Sequence, residues 1–164
     1  MLVGSTDQLV ARGELTLDFS AADEAVSTCA AKFVGIVTGL PCEDFEHRFQ
    51  EMNFSGKIRA LRSLIQICSD AYHVESGRML NLLEALSGTA DHRNDIIHGW
   101  VEWDPKRGRP VFKNKNKPYR SAATNEIRKL CERLSAWLDD FRDEVIRFLG
   151  RVQNKTRTPQ NAAE

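Results

Sequence analysis

Apolar residues recur at steps of three and four along most of this chain, which is the period of one face of an α-helix. The longest such run is Ile127, Leu130, Leu134, Trp137, Leu138, Phe141, Val145 and Phe148. It predicts a final helix that starts at Ser121 or Thr124 and stops at Gly150, about 40 Å long at 1.5 Å per residue. Val26, Cys29, Ala30, Phe33, Val37 and Leu40 predict an earlier helix, with Ser20 as its N-cap and Gly39 and Pro41 as its end. Pro41 then opens a second helix with the stripe Phe45, Phe49 and Met52. A third, capped by Ser55, carries Ile58, Leu61, Ile65 and Cys68. A fourth follows the polar joint 73–77, carries Met79, Leu83, Leu86, Ala90 and Ile97, and stops at Gly99. Ser87-Gly88-Thr89 within it is read as a kink or as a place where another helix approaches closely.

Two stretches lack this period. Up to about Asp18 the pattern is compatible with a strand, a short helix or a loose arm. After Gly99, Trp100-Val101-Glu102-Trp103 alternates, Asp104-Pro105-Lys106-Arg107-Gly108 is turn chemistry, and Arg109 to Lys113 returns. The fold class expected is all-α: an antiparallel bundle of about five helices with a short β-hairpin inserted before the last. At 164 residues, one helical domain over 1–150 is expected, followed by a flexible polar tail over 151–164.

Composition bounds the function. Lys+Arg and Asp+Glu are both 23, so the formal net charge is zero. That excludes a uniformly basic nucleic-acid coat but leaves room for a local patch. No stretch approaches the roughly 20 apolar residues of a membrane span, and Met1 to Glu14 carries no secretory pattern. The four cysteines, Cys29, Cys42, Cys68 and Cys131, have no CxxC spacing. They read as buried free thiols of a cytoplasmic protein, with no metal and no cofactor expected.

The segment Asp91-His92-Arg93-Asn94-Asp95-Ile96-Ile97-His98 crowds polar groups into the end of an apolar-faced helix. With Ala90 at the middle of the stripe and about 100° per residue, Asn94 lies roughly 40° and His98 roughly 80° to one side, and Arg93 roughly 60° to the other. All three are therefore expected to border the buried face. Asn94 and His98 are spaced for an i,i+4 hydrogen bond. A bland reading stands beside the functional one. His98 would bind the last carbonyls of its helix, Arg93 would pair with an acid on a neighbouring helix, and Asn94 would be a satisfied core amide. A metal set of Asp91, Asp95 and His98 lacks a recognised spacing.

Arg93-Asn94-x-x-x-His98 resembles the R-polar-x-x-x-H signature of the HEPN superfamily, small helical bundles of which many are metal-independent ribonucleases. The resemblance covers this one helix. It implies RNA cleavage by attack of the 2′-OH, with His98 as general acid or base, Arg93 binding the phosphate and transition state, and Asn94 orienting the histidine or a phosphate oxygen. It also implies a homodimer whose two motifs face one cleft, a role as toxin or phage-defence effector, and an antitoxin or regulatory protein as a second partner. The alternative is a non-catalytic helical dimer that binds nucleic acid or protein.

Seven basic residues, Lys106, Arg107, Arg109, Lys113, Lys115, Lys117 and Arg120, follow the motif between Pro105 and Arg120 with no acid among them. They are expected to bind the RNA backbone, with Phe112 and Tyr119 interleaved to stack on bases. An exposed hairpin that uses lysines to discourage edge pairing is the bland alternative. Trp100 and Trp103 are read as sharing a strand face, as core or dimer contacts first and base-stacking groups second.

Overall fold

The computed structural model describes residues 6–113, 120, 121 and 123–157. These form five helices, α1 (Thr6–Thr38), α2 (Glu43–Glu51), α3 (Phe54–Tyr72), α4 (Gly77–His98) and α5 (Thr124–Arg157). Between α4 and α5 lie three strands, β1 (Trp100–Asp104), β2 (Arg109–Lys113) and β3 (Arg120–Ser121). The architecture is the all-α bundle with an inserted hairpin that the periodicity predicts, enlarged by the two-residue β3. None of the described helices is long and apolar enough to cross a membrane.

The chain forms two compact units, and α1, α4 and α5 each contribute to both. One unit comprises the chain up to Ala21 with Leu86–Ala136. Its core is Ala11, Leu15 and Phe19 of α1, Leu86, Ala90 and Ile96 of α4, Val111 and Phe112 of β2, and Ile127, Leu130 and Leu134 of α5. The sheet order is β1-β2-β3, antiparallel throughout, with Trp103 opposite Pro110 and Phe112 opposite both Val101 and Arg120. Val111 and Phe112 are neighbours on the middle strand β2 and so point to opposite faces, yet both are buried, so both faces of the sheet are covered there.

The other unit comprises Ala22–Ala85 with the chain from Trp137. Phe33 packs on Phe148 at 5.4 Å between ring centroids, and Trp137 stacks on Phe141 at 4.7 Å. The Trp137 indole donates to the Leu82 carbonyl at 2.7 Å, which satisfies the one polar atom of a buried ring. Lys57 is 2% exposed, and its ammonium meets Asp23 at 2.6 Å. Buried Glu144 receives Arg151 at 2.8 Å and Arg78 and Arg147 at 3.6 Å.

Several expected boundaries are corrected. Ser20 is not an N-cap: α1 begins at Thr6, and the Ser20 hydroxyl donates back to the Thr16 carbonyl at 2.9 Å inside it. The cap of α3 is Asn53, whose side chain accepts from the Gly56 amide at 2.8 Å, and not Ser55. Pro41 stands two residues before α2, whose N-cap is Cys42. Gly39 does end α1, at φ 71° with its amide on the Gly35 carbonyl at 2.8 Å. Helix α4 runs unbroken through Ser87-Gly88-Thr89, and a Cβ at Gly88 would meet nothing within 4 Å, so no helix approaches there. Gly150 does not stop α5, which continues to Arg157 and buries Val152 on the same stripe. Of the segment read as a polar tail, 151–157 is therefore helical and 158–164 lies outside the described residues.

Candidate functional site

The motif occupies the last two turns of α4, in the unit that holds the sheet. The helix ends there because the Gly99 amide closes on the Asp95 carbonyl at 2.9 Å and the chain turns directly into β1. A Cβ at Gly99 would lie 2.3 Å from the Asp95 carbonyl oxygen and 3.4 Å from the Phe112 Cβ, so the exit leaves no room for a side chain.

The covered faces of α4 change towards its end. Upstream, Met79, Leu83, Leu86 and Ala90 are buried along one stripe. In the last turn Asp95 and Ile96 are buried as well, outside that stripe, while Ile97 is only half-buried. Asn94 and His98 are exposed and Arg93 is half-buried. The expectation that all three border the buried face is therefore corrected for Asn94 and His98, which stand on the open side. Their expected hydrogen bond is replaced by another: the Arg93 guanidinium donates to the Asn94 side-chain oxygen at 3.0 Å.

Each residue differs from its bland reading. The carbonyl at the end of α4 is served by Arg12 of α1, which donates to Ile97 O at 2.8 Å and lies 5.6 Å from the Phe112 ring centroid. A cation at a helix C-terminus is favourable, and Arg12 fills that role instead of His98. Among the described residues the His98 side chain makes no hydrogen bond or ion pair. Arg93 pairs with no acid among them: its guanidinium lies over the Phe19 ring at 4.9 Å. Its Nε is a buried donor without a partner there. Such a group costs about 1–3 kcal/mol unless something outside the chain satisfies it. The contact with Phe19 holds beside it a fork whose geometry suits two oxygens of one anion.

The metal alternative is not assembled. Asp91 is exposed and Asp95 buried, and no three His, Cys, Asp or Glu side chains gather to hold an ion among the described residues.

The basic run is only partly in view. Lys106, Arg107 and Arg109 are exposed around the β1–β2 turn. Arg107 approaches Asp104 at 3.6 Å, and Lys113 pairs with Glu102 at 3.1 Å. Lys115, Lys117 and Tyr119 lie outside the described residues, as does the side chain of Arg120. Phe112 cannot stack on a base, because it is buried under Arg12. The pairing of the tryptophans is also corrected. A strand's two-residue period gives positions 100 and 103 to opposite faces, and Trp103 is 66% exposed instead of lying in the core.

A depression in this unit, of about 560 Å³, is lined by Glu14, Leu17, Asp18, Cys131, Glu132 and Ser135. Burial, the neighbouring Asp18 carboxylate with its hydrogen bond, and then Glu14 push the Cys131 thiol up to about 11. Three carboxylates make this groove a poor seat for a polyanion.

Arg12 and Trp103 are the contributions that sequence reasoning missed or ranked low. Arg12 left no signal, because its partner is a backbone carbonyl 85 residues away. Trp103 had one in the turn residues beside it. No family model, no curated protein and no solved structure matches this chain.

Proposed function

We propose that this protein is an endoribonuclease that cleaves RNA through the RNA's own 2′-OH, with His98, Arg93 and Asn94 as its working groups. The observation that carries the reading is the release of His98: Arg12 takes the helix-capping role that would otherwise account for the imidazole, and His98 stands exposed at the helix end. A second support is Arg93, whose guanidinium lies over the Phe19 ring with a buried donor unmatched. The arrangement resembles the HEPN signature in residue types and spacing.

The chemistry requires no external nucleophile. His98 accepts the 2′-OH proton as O2′ attacks phosphorus. The P–O5′ bond breaks, a 2′,3′-cyclic phosphate remains on one product, and an imidazolium returns a proton to the departing 5′-oxygen. Arg93 neutralises charge that grows on the equatorial oxygens. Asn94, already bonded to Arg93, sets the fork or a phosphate oxygen. Because Asn94 and His98 lie on an open helix face, a walled site needs a second surface, which a second copy of the chain provides. Lys106, Arg107 and Arg109 attract the backbone beside it. In a cell such an enzyme would act as a toxin or phage-defence effector, restrained by an antitoxin or regulatory protein.

The test is cleavage of labelled RNA by the full chain with and without EDTA, comparing wild type with His98→Ala. Because His98 is exposed, the variant should keep its helicity. Cleavage that survives chelation and falls about 10²–10⁴-fold in the variant supports the proposal. RNA binding without cleavage leaves a helical binding module instead.

A further inference from the structure

The β1–β2 hairpin carries an aromatic platform that the cleavage chemistry does not use. Trp103 is 66% exposed, although an indole is among the groups a fold gains most by burying. It lines a depression of about 370 Å³ together with Lys106 and Arg107. The turn beside it is tied by hydrogen bonds. Asp104 accepts from the amides of Lys106 at 2.9 Å and Arg107 at 3.3 Å, and the Gly108 amide closes on the Asp104 carbonyl at 2.9 Å with φ 61° at Gly108.

The acids here are already occupied. Asp104 is held by the turn and approached by Arg107, and Glu102 is paired with Lys113. Lys106 and Arg109, which flank the turn, make no ion pair among the described residues. The surface therefore offers one exposed π-face with the uncompensated charge of Lys106 in the same depression. An unpaired nucleotide matches it in both respects, with a base for the indole and a phosphate for the ammonium. A duplex matches only the charge, because its base faces are stacked away.

We infer that this hairpin is a clamp for an unpaired nucleotide, in which Trp103 stacks on the base while Lys106 holds an adjoining phosphate. The inference rests on RNA being the ligand in the proposed function, and it adds the element that selects single-stranded over paired substrate. It places Trp103 as a binding residue apart from the cleavage groups.

The test uses the full-length His98→Ala protein, so that cleavage does not interfere. It is titrated with an unstructured oligoadenylate RNA and with the same strand in a duplex. Indole fluorescence and anisotropy of the labelled RNA are read together. The clamp predicts tighter binding of the single strand and quenching that disappears when Trp103→Ala is added. Affinity should fall roughly 5- to 150-fold, the range for one lost base–aromatic stack. Trp103→Phe should restore part of it, and Lys106→Ala should lower the salt slope by about one.

Equal binding of strand and duplex, or unchanged affinity in Trp103→Ala, overturns the clamp. So does a change of oligomeric state in Trp103→Ala with RNA affinity intact, which would make the indole a contact between copies. The two readings fail separately. Trp103-dependent binding by a wild type that never cleaves keeps the clamp and removes the nuclease. His98-dependent cleavage indifferent to Trp103 does the reverse.

Discussion

Replacing glycine by alanine should have opposite effects at two positions of α4 and its exit. At Gly99 the new Cβ would lie 2.3 Å from the Asp95 carbonyl oxygen, and real Cβ contacts essentially never fall under 3.0 Å. That oxygen must retreat, yet it accepts the Gly99 amide that closes the helix. Forcing atoms into a packed site costs about 1–3 kcal/mol, and weakening the closing hydrogen bond adds about 1 kcal/mol. At about 2.1 cal/mol/K per residue, the unfolding entropy of 164 residues makes each kcal/mol worth roughly 3 °C. Gly99→Ala should therefore lower Tm by about 6–12 °C. At Gly88 a Cβ meets nothing within 4 Å and the residue is mid-helix. Gly88→Ala should raise stability by about 0.5–1 kcal/mol, or roughly 2–3 °C. Thermal melts followed by circular dichroism read both. A Gly99→Ala protein that melts within 2 °C (about 0.7 kcal/mol) of the parent, or a Gly88→Ala protein that melts below it, would refute this account of the helix exit.

Three further outcomes follow from the packing. Asp23→Ala strands the buried Lys57 ammonium and should cost about 3 kcal/mol, whereas Lys57→Met should cost much less; urea midpoints of the two variants compare them. Leu15 is buried and Leu17 is 73% exposed on the same helix, so Leu15→Ala should lose about 2–5 kcal/mol and Leu17→Ala no more than about 0.5 in the same urea titration. The Cys131 thiol stays protonated well above its ordinary 9.0, so iodoacetamide labelling of Cys131, read by mass spectrometry, should climb about tenfold per pH unit until near pH 11. The unfolded thiol ionises first as pH rises, so this group's contribution to stability is full below about pH 9 and is lost towards pH 11.

Much of the helix core was legible because its residues obey one period. Ile127, Leu130, Leu134, Trp137, Phe141 and Phe148 are all buried as the spacing requires. The start of α1 was not legible, for a physical reason. Ala11, Leu15 and Phe19 face the core while Leu9, Val10 and Leu17 stand exposed on the opposite face, so no single stripe emerges. Leu15, Leu17 and Phe19 even alternate as a strand would. The glycines misled in two directions. Gly99 does end its helix, because a carbonyl occupies the place of its Cβ, but Gly150 and Gly88 sit in helices with nothing near them. Glycine alone does not state which case applies. At the candidate site, residue spacing located the motif on the correct helix. It could not anticipate that the last turn of α4 would bury Asp95 and Ile96 on a second face and leave Asn94 and His98 open.

The most direct measurement is the chemistry of the RNA ends. An oligonucleotide cut by wild type is compared with the same oligonucleotide carrying a single 2′-deoxy sugar at the cut position. Attack by the neighbouring hydroxyl, drawn out by His98 and stabilised by Arg93, predicts a 2′,3′-cyclic phosphate from the first and no cut at the modified sugar in the second. A 3′-hydroxyl end, or undiminished cleavage at the deoxy position, would contradict it.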